Sequence, residues 1–172
     1  MTILLCYDGS PDAVRAIDVA GDLFDGREAI VLTIWEGFSE VLTRAGAGLA
    51  AAPLNFEEID ASNRSSANEQ AQEGARRARS AGLDAHARVA ESGTTIWETV
   101  LDQAEATGAE AIVLGSRGLT GVKSMLLGSV SHAVLQHADR PVVVVPCSQA
   151  AGKRAERRHR HHEAARAPAH AG

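Results

Sequence analysis

Five short aliphatic runs alternate with longer segments of helical spacing, and that alternation restricts the chain to an α/β fold built on parallel strands. Residues 3–7 form the first apolar run and meet Asp8, Gly9, Ser10 and Pro11, which is how a buried strand hands over to a helix. Ser10 suits the N-cap and Pro11 the first helical position, where a missing N–H costs nothing. Val14, Ile17, Gly21 and Phe24 then recur at helical spacing until Gly26 closes the segment. Residues 29–35 read as a second strand. Residues 36–53 hold Gly46, Gly48 and Pro53 without a sustained period and read as a loop. The charged, alanine-rich residues 56–81 predict a long helix ended by Gly82, and residues 84–90 a third strand. Thr95, followed three residues later by Glu98, forms a capping box ahead of the stripe Ile96, Val100, Leu101 and Ala104. A fourth strand is expected over 111–114, a fourth helix over 129–138, and a fifth strand over 141–145. Its leading Pro141 suits a strand's first residue.

Parallel neighbours need right-handed crossovers, so the expected fold is a single open, doubly wound five-stranded parallel sheet with helices on both faces. The expected strand order is 3-2-1-4-5. Composition fits that choice: 45% of residues are hydrophobic but only 3% aromatic, so the core must be aliphatic, as in strands buried on both faces. A chain of 172 residues suits one domain, placed at residues 1–147. Residues 148–172 form a basic tail rich in His and Arg, without an apolar stripe, and are expected to be disordered.

Residues 153–172 carry six Lys or Arg against two Glu, and the whole chain carries −5, so the preceding 152 residues carry −9 (−5 minus +4). An acidic body disfavours nucleic acid as its partner. No stretch has membrane-spanning length, and residues 1–8 lack the basic start of a secretory signal, so a cytoplasmic location is expected. Cys6 and Cys147 stand in or beside strands without metal-ligand spacing and read as thiols in a reducing compartment.

In an open α/β sheet the ligand crevice lies beyond the carboxyl ends of the strands, where the winding reverses. For the order 3-2-1-4-5 the reversal falls between the first and fourth strands, which sets Asp8 opposite Gly115, Ser116, Arg117 and Gly118. Glycines admit a close backbone approach, and the helix opening at Gly128 and Ser129 offers unpaired N–H donors, so this segment favours phosphate. Arg117 and Lys123 could add charge there, or be solvated surface side chains. Asp8 could accept hydrogen bonds from ribose hydroxyls, or cap its own turn. Residues 115–124 fail as a P-loop, because five residues separate Gly115 from Gly121 and Val122 precedes Lys123. No GxGxxG follows the first strand, which argues against hydride transfer.

Gly115, Gly118, Gly128 and Ser129 reproduce a pattern of Gly, two residues, Gly, nine residues, Gly, then Ser or Thr. With YDGSP at 7–11 and the whole text of 115–146, the chain resembles the universal stress protein family, in its ATP-binding branch, over about residues 2–147. The resemblance implies that Asp8 holds ribose, that Ile34 meets adenine through its backbone, and that Gly115, Ser116, Arg117 and Gly118 wrap the phosphates of ATP, with or without Mg2+. Gly128, Ser129, Val130 and Ser131 would bind them from the helix end. It also implies a homodimer through the last strand, from Pro141 to Val145. Glu110, where Asp is common, and the His-rich tail depart from the family pattern, and neither touches the phosphate motif.

No catalytic residue emerges. His132 and His137 sit on a helix without a triad partner and read as packed or solvated, Ser10 and Ser129 lack a GxSxG context, and Trp35 and Trp97 read as packing residues. A nucleotide-binding regulator therefore leads. The alternatives are a slow adenine-nucleotide hydrolase on the same fold and a nucleotide-free scaffold. A pyrophosphatase-like ligase would want SGGxDS where YDGSPDA stands at 7–13. In the tail, His159, Arg160, His161 and His162 could bind a metal or an anionic partner, or belong to a solvated extension.

Overall fold

Ten elements make up the computed structural model, which describes residues 1–44, 55–119, 127–146 and 152. In chain order they are β1 (Thr2–Cys6), α1 (Pro11–Phe24), β2 (Glu28–Glu36), α2 (Phe38–Arg44), α3 (Phe56–Ser80), β3 (Asp84–Ser92), α4 (Ile96–Ala106), β4 (Ala111–Gly115), α5 (Ser129–His137) and β5 (Val142–Val145). The five strands form one parallel sheet in the order β3-β2-β1-β4-β5, the order expected from the sequence.

The two-residue period of the strands divides the core into two layers. Ile3, Leu5, Val31, Ala111 and Val113 face one side, where they meet Ala13, Ala16, Ile17 and Ala20 of α1 and Ala75 and Ala78 of α3. Leu4, Leu32, Ile112 and Leu114 face the other, against Val100 and Ala104 of α4 and Val134 of α5. The missing side chain of Gly74 in α3 allows close approach, since a Cβ there would stand 2.7 Å from the Tyr7 ring. α3 thus lies directly on the end of β1.

Local signals placed the helix starts. The Ser10 hydroxyl accepts from the Ala13 N–H at 3.2 Å. Thr95 accepts from the Glu98 N–H at 3.3 Å, while the hydroxyls of Thr94 and Thr95 both donate to Glu98 at 2.6 Å and hold its carboxyl below the usual range. Pro141 stands just before β5 rather than inside it, and its carbonyl accepts from the Ile112 N–H at 2.9 Å.

The reading of 36–53 as a loop needs correction, because Phe38–Arg44 is helical. Seven residues are too few to display a period, and the helix is held by tertiary contacts instead. The Asp60 carboxylate accepts from the Phe38 N–H at 2.7 Å, the Phe38 and Phe56 rings lie 5.8 Å apart, and Arg44 pairs with Glu36. The rest of that segment, residues 45–53, lies outside the described residues, as do Lys123, Cys147 and the tail beyond residue 152.

Candidate functional site

β1 and β4 are neighbours, so the chain leaving each emerges at the same edge of the sheet. After β1 it turns through Asp8 and Gly9, whose φ of 75° is a left-handed conformation that favours glycine. Asp8 does two things there. Its Oδ1 accepts from the Ser10 N–H at 3.0 Å, capping its own turn, and its Oδ2 accepts from the Leu119 N–H at 3.2 Å, reaching the loop after β4. A Cβ on Gly118 would stand 2.7 Å from that same Oδ2. Asp8 and the glycine loop, brought together on paper by strand order alone, are in direct contact.

Beneath that contact lies a buried brace. Asp12, in the first turn of α1, is 6% exposed. Its Oδ2 accepts from the Ser116 hydroxyl at 2.9 Å and stands 3.5 Å from Arg117 Nε. Ser116 commits its backbone as well: its N–H donates to the Val145 carbonyl at 2.7 Å, and its carbonyl accepts from the Gly128 N–H at 2.7 Å and the Ser131 hydroxyl at 2.8 Å. Ser10 adds a 3.5 Å contact from its hydroxyl to the Arg117 carbonyl. Arg117 is therefore directed inward, with its side chain 16% exposed, rather than out to solvent. Ser116 and Ser131 are framework groups. Asp12 was missed by sequence reasoning, since its only signal is an acidic residue in a first helical turn, common on macrodipole grounds alone.

Gly128 is the N-cap of α5, and having no side chain it leaves the helix without a side-chain cap. The first-turn N–H groups of Ser129, Val130 and Ser131 lie beyond the reach of intrahelical bonding, and together with the helix dipole they present a partial positive charge. Ser129 is exposed, and Val130 packs into the α4–α5 layer. Such an end accepts an anion without further machinery.

The end of β2 supplies a third component. Leu32 pairs with Cys6, and its carbonyl accepts from the Tyr7 N–H at 2.8 Å. Residues two apart in a strand direct their N–H and C=O to the same edge, so those of Ile34 also aim toward β1, which has already ended at Cys6. The Tyr7 carbonyl is taken by the Thr33 hydroxyl at 2.9 Å. Ile34 thus offers a donor and an acceptor side by side, next to the Asp8 turn. A cleft of about 320 Å³ opens there, lined by Ile34, Trp35, Glu36, Asn63, Ser66 and Gln70 among others.

Other candidates fall elsewhere. Trp97 stacks on His137 with centroids 4.6 Å apart, joining α4 to α5, and His132 is exposed. Burial and the nearby Asp8 carboxylate push the Cys6 thiol up to about 12, which leaves it protonated at neutral pH and a poor nucleophile. Among the described residues no group of three or more His, Cys, Asp or Glu is arranged to hold a metal, and no helix is long and apolar enough to cross a membrane.

The model of the universal stress protein family matches residues 1–146. Over 145 residues the chain is 32% identical to universal stress protein YxiE of Bacillus subtilis (strain 168), which takes in 83% of this chain and 97% of that protein. The chain belongs to the universal stress protein family. Among solved structures it is similar to hypothetical protein MJ0577 of Methanocaldococcus jannaschii, with TM-score 0.68 and 22% identity over 84% of this chain and 94% of that one. It is also similar to the universal stress protein of Archaeoglobus fulgidus in complex with dAMP, with TM-score 0.56 and 19% identity over 84% and 97% of the two chains. A universal stress protein family protein of Arabidopsis thaliana with AMP bound gives TM-score 0.57 and 14% identity over 85% and 91%. At these identities the likeness carries the universal stress protein fold, and the residues named above belong to this member's own geometry.

Proposed function

We propose that this chain is an ATP-binding regulator of stress responses, acting in the cytoplasm as a homodimer. One observation carries the reading: the uncapped N-terminus of α5, the Asp8 carboxylate and the unpaired edge of Ile34 converge at the carboxyl ends of β1, β2 and β4. These are donors for phosphate, acceptors for ribose hydroxyls, and a donor–acceptor pair for a base edge. The dAMP and AMP held by the two relatives are the ligand class that such a set fits.

Adenine lies against Ile34, ribose on Asp8, and the phosphates over the backbone of Gly115, Arg117 and Gly118 and the N–H groups of Ser129, Val130 and Ser131, with Ser116 holding the shape of the loop beneath them. Ribose enters by replacing the Leu119 N–H on Asp8 Oδ2, so occupancy moves the glycine loop. Mg2+, where it accompanies ATP, would be held through the phosphates and would offset their charge. The output is occupancy rather than turnover, since Asp8 is taken up by the Ser10 N–H and by ribose. The half-buried Val142, Val143 and Val144 of β5, at the outer edge of the sheet, meet the same strand of a second copy.

The test is to purify the full chain without added nucleotide, denature it, identify what is released, and measure melting with and without ATP. Released adenine nucleotide, or a melting point that rises with ATP concentration, is expected. Neither being seen would sink the reading. Light scattering should give twice the chain mass.

A further inference from the structure

A backbone N–H and C=O side by side match the N6 donor and N1 acceptor of adenine, whereas guanine presents the O6 acceptor and N1–H donor in the reverse order and matches only when turned over. Ile34 by itself therefore chooses between the two purines only while the orientation of the base is held. The second edge of the base does differ: adenine presents the N7 acceptor beside the N6 donor, whereas guanine presents two acceptors, N7 and O6. Reading it needs a side chain.

The cleft beside Ile34 supplies suitable ones. Asn63, Ser66 and Gln70 stand at positions i, i+3 and i+7 of α3, on one face of the helix, and all three line the cleft with Trp35. Gln70 joins this cleft to the ribose end, because its amide nitrogen lies 2.6 Å from where a Cβ on Gly9 would stand, and Gly9 follows Asp8. None of the three side chains is fully buried: Asn63 and Ser66 are exposed and Gln70 half-buried. An Asn or Gln amide carries one acceptor and two donors, which fits adenine N6 and N7. Against guanine its carbonyl would face another carbonyl oxygen. Trp35 offers an indole surface for packing on the ring plane, a contact that every base accepts and that adds affinity without selectivity.

We infer that the amide face of α3, Gln70 foremost with Asn63 and Ser66 beside it, reads the N6/N7 edge of the base and makes this site select adenine over guanine. The inference rests on the nucleotide site proposed above, and it adds residues that the glycine pattern does not contain.

Calorimetric titration with ATP and with GTP tests it. The unaltered chain should prefer ATP, and Gln70→Ala should weaken ATP roughly tenfold to hundredfold while leaving GTP nearly unchanged. Asn63→Ala should act in the same direction with a smaller effect. Gln70→Arg, which offers two donors to O6 and N7, should move the preference toward GTP. Gly118→Val, which crowds Asp8 and the phosphate loop rather than the base, should weaken both nucleotides by the same factor. Melting without nucleotide confirms that each variant is folded. If the unaltered chain binds neither nucleotide, the site and its selectivity fall together. Binding of ATP with a ratio to GTP near one, or with a ratio unmoved by the Gln70 and Asn63 variants together, overturns the selectivity alone.

Discussion

The turn after β1 and the loop after β4 differ sharply from the end of β2 and the outer half of α3. In the first region the polar groups of Asp8, Asp12, Ser116 and Ser131 are all spent on one another and on backbone N–H and C=O groups. In the second, Ile34, Asn63, Ser66 and Gln70 face a cleft. Both regions sit at the carboxyl edge of the same sheet, yet one is built and the other is open. Spent groups set the shape of a site, while uncommitted ones are left to meet a ligand. Substitution in the first region should therefore cost folding before binding, and in the second binding without folding.

Asp12→Ala makes the strongest claim on the braced side. It removes the acceptor of a buried hydroxyl and a counter-charge beside a mostly buried guanidinium, and should cost about 3 kcal/mol of stability. Urea unfolding measures it; a loss below about 0.5 kcal/mol would show that the brace is incidental. Gly115→Ala comes next. Its Cβ would stand 2.8 Å from the Asp12 carbonyl carbon and 2.9 Å from the Ala13 nitrogen, backbone atoms that cannot swing away, so about 2 kcal/mol should be lost. Asp8→Ala lies at the border between the regions. It should cost about 1 kcal/mol in folding through two lost acceptors, and weaken ATP by a larger factor than it weakens inorganic triphosphate. Equal weakening of both would remove Asp8 from the ribose. On the open side, Asn63→Ala and Ser66→Ala should leave stability within about 0.5 kcal/mol while changing nucleotide affinity. A clear fall in melting temperature would mean that this face is structural after all.

The sequence carried the braced region's location but not its construction. Strand order follows from local signals: aliphatic runs, the Ser10 and Thr95 caps and the glycines all act within a few residues of themselves. Together they were enough to set Asp8 opposite Gly118. The Asp12–Ser116 bond joins residues 104 apart, and nothing near Asp12 distinguishes it from an ordinary first-turn carboxylate. Arg117, which reads as a solvated or phosphate-facing cation, turns inward for the same reason. α2 escaped notice because its stability comes from Asp60 and Phe56, across the segment 45–54. On the open side Ile34 entered only through family resemblance, and its unpaired edge shows once the register of β1 on β2 is known. Gln70 lies in a charged, alanine-rich helix whose polar face reads simply as solvent-facing.

Nucleotide occupancy across both regions is measured most directly by the backbone amide spectrum of the full chain during titration with ATP. Saturable shifts clustered at residues 8–10, 34–36, 115–119 and 128–131, with the amino ends of the strands unmoved, are expected. No shift at millimolar ATP, or shifts gathered at the opposite edge of the sheet, would contradict a nucleotide site between Asp8 and the glycine loop.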